Sequence, residues 1–495
     1  MNSKECHNIV YCIGTENEYS LFMTNYHCDI RTTEYIFCTF DISELDISER
    51  KILLLNTEIS TISFCILNDV AEILFYHNKL LISETDTNLL IETERKYIEN
   101  NSYSLLKQLN LIKLVFDLRK KSTVLSSYPI HIQLEHTTFC NARCIMCDHF
   151  IAHNRGSKHL TLKMVKSLES MLPYVSTIIM HGNGEPLLNP EILHLFDLYR
   201  KYLIKTSLNT NLSYLNEELI SCLKESCKSI HVSCDGIGQE QYESIRLGLS
   251  YSTFINNIKR LSSDCNNTEK ILEVVLMRQN LKDTVKFVRF AYDYGFSKVI
   301  FNALGCNKWI GNQKDGIREY RSIAMYYCKC AKSEGVRLGI TVVTPFENIP
   351  NDIQQTNMDL SLPLQDTFRT LNDSEELHNK YTWYTNTIAV NEMSKEMLCR
   401  CSSSACLRGI CEYPFTKTYI DLCGNVSFCC HLSRKRIDTL TSEKSFGKIW
   451  NGEAYQLMRS AFYNKTLPFI CSNCFQINNR SLKFLDTNSS IIGEG

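Results

Sequence analysis

Three cysteines crowd into eight residues, Cys140, Cys144 and Cys147, in a Cys-x3-Cys-x2-Cys spacing. Three thiolates on one short loop can hold three irons of a 4Fe–4S cluster and leave the fourth iron open to another ligand. A structural zinc site would need a fourth side chain, and Asp148 and His149 are the nearest candidates. A trio of buried thiols without metal is the plain alternative. A second group packs nine cysteines into residues 399–474. Within it, Gly424-Asn425 reads as a hairpin turn that sets Cys411 and Cys429 on either side. Cys471 and Cys474 return as Cys-x2-Cys and complete four thiolates, a closed site that alone suits a zinc ribbon as well as a cluster. Cys430 competes with Cys429 as a ligand, and Cys399, Cys401 and Cys406 receive no defined role.

The whole chain carries 24 cysteines in 495 residues. The N-terminus has an acid at Glu5 and no apolar segment after it, so no secretory signal is expected and the expected compartment is the cytoplasm. Disulfides are rare there, so clustered cysteines read as metal ligands or catalytic thiols. The scattered ones, Cys12, Cys38, Cys65, Cys222, Cys265 and Cys328, read as small buried hydrophobes. With 53 basic against 54 acidic residues the net charge is −1, which gives no footing for a nucleic-acid surface. No run of about 18 apolar residues offers a membrane span. With 44% hydrophobic and 22% charged residues, the length predicts a folded chain of roughly three domains.

The elements that must position these cysteines follow from the hydrophobic pattern. Residues 1–125 form an α+β accessory segment with β-rich runs at 35–40 and 61–66. A helical stretch follows over 89–121, with Leu105, Leu106, Leu109 and Ile112 on one face, and 119–127 reads as a linker. From 129 to 304 six short apolar runs, near 130–134, 175–180, 204–208, 229–233, 271–277 and 298–303, alternate with amphipathic helical stretches. That alternation predicts parallel βα units wound right-handedly into a barrel-like or open α/β sheet, with chemistry at the C-terminal ends of the strands. Residues 311–398 supply a helix over 312–335, a strand over 336–343 and a polar insertion. The cysteine-rich unit spans 399–485, and 486–495 is a tail.

The triple-cysteine loop resembles the signature of radical S-adenosylmethionine (SAM) enzymes, and further matches follow in chain order. After the second apolar run comes His181-Gly182-Asn183-Gly184-Glu185-Pro186, similar to the family's Gly-Gly-Glu motif. After the third comes Thr210-Asn211, and after the fourth Ser233-Cys234-Asp235-Gly236 and then Arg246. After the fifth comes Met277-Arg278 with Asn280. The resemblance implies a partial (β/α)6 barrel and a cluster on Cys140, Cys144 and Cys147 with SAM on its open iron. Glu185 would take the SAM amino group, Gly182 and Gly184 would let the backbone approach, Ser233 and Arg246 would meet the carboxylate, and Asn211 and Asn280 the ribose or adenine. Asp235 is expected to cap the following helix. Asn183 and Leu212 stand where the family has glycine, and Met146 stands where it often has an aromatic.

The tail resembles the SPASM/twitch extension, including the segment Phe446-Gly447-Lys448-Ile449-Trp450-Asn451. That implies an auxiliary 4Fe–4S cluster on Cys411, Cys429, Cys471 and Cys474, in the one-cluster form because no cysteine follows Cys474. The implied activity is reductive cleavage of SAM to a 5′-deoxyadenosyl radical and abstraction of a substrate hydrogen, with the auxiliary cluster relaying an electron. The substrate would be a ribosomally made peptide, recruited by the N-terminal segment, or a small carbohydrate or cyclitol. A flavodoxin or ferredoxin would supply electrons, with no nucleic-acid or membrane partner. No catalytic acid or base stands out in the sequence. The competing class is a non-catalytic interaction protein stabilised by zinc or an Fe–S centre.

Overall fold

The computed structural model describes short strands between residues 8 and 83, then residues 102–147, 158–304, 320–346, 413–430, 436–441 and 443–464, with a few further single residues. The run at 61–66, the insertion after 353, the tail, and Cys38, Cys65, Cys399, Cys401, Cys406, Cys471 and Cys474 lie outside the described residues or have no described side chain.

At the N-terminus β1 (Asn8–Ile13), β2 (Thr33–Cys38), β3 (Lys51–Leu54), β4 (Glu72–His77) and β5 (Leu80–Ser83) form one sheet in the order β2-β1-β3-β4-β5. All pairs are parallel except the β4–β5 hairpin. Helix α1 (Tyr103–Arg119) belongs with the next unit instead. It buries Leu106, Leu109, Leu114 and Leu118 in the main core. Its Lys107 donates to the Tyr202 carbonyl (2.5 Å), and its Asn110 side chain bonds the Tyr128 backbone in both directions (2.9 and 2.7 Å). Its apolar face thus has its partner in the second unit.

The second unit is a ten-stranded sheet in the order β14-β13-β12-β10-β9-β8-β6-β15-β16-β17. The six expected strands are β6 (His131–Leu134), β8 (Thr177–Met180), β9 (Lys205–Thr210), β10 (Cys227–Ser233), β12 (Glu269–Leu276) and β13 (Lys298–Ala303), all parallel to their neighbours. Two-residue strands β7 (Arg143–Cys144) and β11 (Arg246–Leu247) pair apart from this sheet. The sheet ends do not meet, so the barrel is partial. Along β9 burial alternates: Thr206, Leu208 and Thr210 are buried, and Ser207 and Asn209 are half-buried on the other face. The buried face is covered by α3 (Ile192–Lys201), α4 (Glu217–Ser226), α6 (Tyr251–Asp264) and α7 (Thr284–Asp293), while α2 (Leu162–Lys166) and α5 (Gln239–Ile245) flank the loops. Four of the scattered cysteines, Cys12, Cys222, Cys265 and Cys328, are buried as expected.

Helix α8 (Arg321–Leu338) runs through Val336, which the sequence reading placed in a strand. The helix stops where Gly339 adopts φ +72°, a left-handed cap that glycine takes without cost, and only β14 (Thr341–Val343) is extended. On the opposite edge β15 (Lys417–Ile420) follows the short helix α9 (Tyr413–Thr416) and pairs parallel with β6. Antiparallel β16 (Asn425–Ser427) and β17 (Asp438–Thr439) complete that edge. The cysteine-rich unit thus continues the barrel sheet.

Residues 119–127 are a fixed strap and not a free linker. Asp117 accepts from the Ser126 and Ser127 amides (2.7 and 3.2 Å). Asn451 bonds both backbone groups of Leu125 (2.9 and 2.7 Å), and the Trp450 indole donates to the Ser127 carbonyl (2.8 Å). The helix carrying Trp450, α10 (Phe446–Trp450), and α11 (Glu453–Tyr463) therefore hold the entry to β6. Among the described residues no helix is long and apolar enough to cross a membrane.

Candidate metal and cofactor site

Cys140 lies on the loop after β6, Cys144 in β7, and Cys147 on the turn beyond it. The Ala142 amide donates to the Cys140 sulfur (3.4 Å), as does the Asn211 amide group (3.7 Å), and Arg246 Nη1 faces the Cys144 sulfur at 3.9 Å. N–H groups aimed at sulfur suit thiolates, the form that binds iron. Burial pushes the Cys140 thiol up to about 12, with Glu185, Cys144 and Cys147 adding to the shift, and burial likewise raises Cys144 against the pull of Arg246. In the metal-free chain these sulfurs keep their protons, so cluster binding must release them. Among the described residues no three such side chains converge as one ion would require. Asp148 and His149, the zinc alternatives, lie outside the described residues.

Glycine motif and cysteine loop are locked together. The Glu185 amide donates to the Phe139 carbonyl (2.8 Å), and a Cβ on Gly184 would stand 2.4 Å from the Thr137 carbonyl oxygen and 2.5 Å from that of Phe139. Only glycine lets the two backbones approach this closely. The Glu185 carboxyl accepts from the Asn211 amide (2.6 Å), the Thr210 hydroxyl (2.7 Å) and the Leu187 amide (3.3 Å). Its two oxygens keep room for one more donor. Asn211 is set against the Cys140 loop through its bond to Asn141 (3.2 Å). Ser233 stands half-buried at the end of β10.

Arg246 is buried and paired with Asp235 (2.6 Å). Burial opposes its charge, yet Asp235, and less strongly Cys144, raise its pKa. Its Nε is buried without a partner, an orphan donor that an anionic ligand group would satisfy. Asp235 does not cap α5, whose N-cap is Gly238; it accepts from the Val275 amide (2.7 Å). The Asn280 side chain is fully engaged, donating to the Asp235 and Val275 carbonyls (both 2.9 Å) and accepting from Met277 (2.8 Å). It shapes the turn below the site.

Both glycine departures have local reasons. Leu212 adopts φ +53°, which costs roughly 1–2 kcal/mol for a residue with a Cβ, and offsets it by complete burial of its side chain. Asn183 donates to Glu135 from its side chain (2.7 Å) and its backbone (3.2 Å). Glu135 belongs to none of these motifs. The one signal is an acid directly after an apolar strand, and it also accepts from Leu422 of the cysteine-rich unit (3.4 Å).

Glu185 makes the metal-free chain sensitive to pH. Burial, only partly offset by its hydrogen bonds, lifts its carboxyl from 4.5 to about 7. The folded state then holds a proton that the unfolded state releases. This stability is full below about 4.5 and is lost as pH rises through about 7, a change on the order of 3 kcal/mol. Urea unfolding at pH 5 and pH 8 should show it, and Glu185→Gln should flatten the difference.

In the tail, half-buried Cys411 precedes α9, and half-buried Cys429 and Cys430 follow β16. The hairpin turns at Gly424, φ +75°, as expected. It sets Cys411 and Cys429, two of the four expected ligands, before and after the β15–β16 hairpin, while Cys471 and Cys474 lie outside the described residues.

Residues 134–291 match the Radical SAM superfamily model, and residues 411–475 match SPASM, an iron–sulfur cluster-binding domain. The chain is 24% identical to the mycofactocin maturase of Mycobacterium ulcerans over 217 residues, 43% of this chain and 58% of that protein. It is 30% identical to an uncharacterized protein of Methanocaldococcus jannaschii over 114 residues, 22% of this chain and 39% of that protein. The matches thus span about half the length of these curated relatives. Among solved structures, Streptococcus suis SuiB bound to its precursor peptide SuiA aligns at 14% identity and TM-score 0.48, covering 85% of this chain and 90% of that one.

Proposed function

Because this chain belongs to the radical SAM superfamily and carries a SPASM domain, we propose that it is a SAM-cleaving maturase acting on a peptide, with the SPASM cluster relaying an electron. When bound, the site cluster and SAM supply a carbon-centred radical able to take a hydrogen atom from an unactivated position. The chain's own residues bind and orient. Cys140, Cys144 and Cys147 hold three irons, Glu185 accepts from the SAM ammonium group, Gly182 and Gly184 give the backbone access, and Arg246 with Ser233 faces the carboxylate. Asn211 holds the cluster loop, and Asn280 fixes the turn below. Cys411, Cys429, Cys471 and Cys474 hold the auxiliary cluster.

The observation that carries this reading is the mutual lock of the Cys140 loop, Glu185 and Thr210-Asn211, three segments far apart in sequence. The peptide reading draws on the relative named a maturase. Anaerobic reconstitution should load about eight irons, and reduction with SAM should yield 5′-deoxyadenosine. Saturation at four irons, or zinc in the tail, overturns the auxiliary assignment. Cys471→Ala should cleave SAM without turning over substrate. Mass spectrometry of peptides and metabolites with and without the enzyme then identifies the substrate, and a modified cyclitol in place of a peptide would correct that part.

A further inference from the structure

One row of polar side chains crosses the sheet just where the strands end. The register pairs Ile420 with Leu134, Leu134 with Met180, and Met180 with Leu208. One residue further it aligns Asp421, Glu135, His181 and Asn209, and Asn209 pairs with His231. His181, Asn209 and His231 alternate with residues buried beneath the helices, so they share the open face of the partial barrel, while Glu135 and Asp421 are themselves buried. Glu273, on β12, joins from the diagonal. His231 Nδ1–H donates to Glu273 Oε1 (2.8 Å), and Asn209 donates to Oε2 (3.0 Å). His231 Nε2 lies 3.3 Å from the Ser229 hydroxyl, which meets Ser207 at 2.8 Å. The His231 and Glu273 side chains remain 18% and 22% exposed, open enough to be touched.

The wall holds a carboxylate and no lysine or arginine. Burial works against the Glu273 charge, but the bonds from His231 and Asn209 and the field of His181 outweigh it and hold the carboxyl below the usual range. At His181, on the exposed end of its strand, desolvation lowers the pKa while Glu273 and the bond with Asn209 raise it. The strand lysines, Lys205, Lys228, Lys270, Lys298 and Lys417, all occupy the first two positions of their strands, at the far end. Beyond the near ends, Arg246 is committed to Asp235, and Arg278 lies over the Tyr320 ring. A neutral or cationic donor group meets acceptors here, and an anion meets a carboxylate with no free cation from these strands to offset it.

We propose that His181, Asn209, His231 and Glu273 form the substrate-binding wall, and that it takes a hydrogen-bond-donating head group, hydroxyl or ammonium, and rejects a carboxylate or phosphate. The inference rests on the radical SAM reading, because that places the substrate on the face above which SAM sits. The same head group is carried by a free amino alcohol or by a peptide side chain, so both serve as probes. Saturation-transfer NMR of the reconstituted full chain should show saturable binding of ethanolamine and of an N-acetylated serine amide, and at least tenfold weaker binding of glycolate. The tighter of the two donors names the source. Glu273→Gln and His231→Phe should each weaken donor binding about tenfold, or about 1.4 kcal/mol, while Glu269→Gln at the far end of β12 leaves it unchanged. Equal binding by Glu273→Gln and wild type, glycolate binding as tightly as ethanolamine, or no saturable binding of either donor overturns the proposal. Formation of 5′-deoxyadenosine in the same samples separates the two readings. Its absence in wild type ends the SAM assignment, whereas normal yield in Glu273→Gln with altered binding supports the wall.

Discussion

Replacing Cys144 by alanine is expected to reduce 5′-deoxyadenosine formation to that of iron-free protein, while about half the iron, that of the auxiliary cluster, remains bound. A cluster left with two protein thiolates loses both affinity and the single open iron that SAM requires. The structure adds a second reason. Cys144 sits in β7, whose partner β11 carries Arg246, and Arg246 closes the ion pair with Asp235. Loop, guanidinium and sulfur are thus one assembly: the residue that tilts the field toward thiolate is also the backbone partner of the cysteine. Cys265→Ala is the matched control, since that sulfur is buried just after α6 and donates to the Ile220 carbonyl (3.9 Å). Iron analysis and chromatography of SAM products after dithionite reduction decide the matter; cleavage at the wild-type rate in Cys144→Ala sinks the cluster assignment.

Local patterns made much of this legible. Six apolar runs separated by amphipathic stretches specify parallel strands and helices, because each run must be buried on one face and crossed over. Their positions match β6, β8, β9, β10, β12 and β13 to within a few residues. The cysteine spacing and the Gly-x-Gly-Glu segment also read directly, since a close backbone approach admits only glycine. Other features hid because they depend on contacts distant in sequence. Nothing local announces that Glu135 will meet both Asn183 and Leu422, or that Asp235 will bind Arg246 in place of a helix end. The strap at 119–127 looks like a linker because Lys and Ser are polar, and its order comes from Asn451 and Trp450, more than 300 residues later. The wall of His181, His231 and Glu273 is visible only once register aligns four strands.

Arg459→Ala is expected to destabilise the chain by at least about 3 kcal/mol and to loosen the SPASM unit from the barrel before either unfolds fully. Arg459 is completely buried in α11, and among the described residues no carboxylate is bonded to it. Its Nε donates to the Pro414 carbonyl (2.9 Å), and Nη1 to the Thr123 carbonyl (2.8 Å) and to Asn451 (3.1 Å). The guanidinium lies over Trp450 and Tyr455, 4.4 and 5.1 Å from the ring centres. Burial lowers its pKa to about 10, still charged at neutral pH. A buried cation held by carbonyls and ring faces spans three segments at once: the strap before β6, the helix before β15, and the motif helix. Alanine would strand two carbonyls, each costing about 1–3 kcal/mol, and leave a cavity. Arg459→Lys separates charge from geometry, because an ammonium keeps the charge but lacks the planar fork. If the fork matters, lysine recovers only part of the loss in urea unfolding, and hydrogen exchange should rise first in the strap and in β15–β16. Protection unchanged there, with stability lost uniformly, would show that Arg459 serves only its own helix and that the sheet continuity of β15 with β6 is enough to hold the two metal-binding units in register.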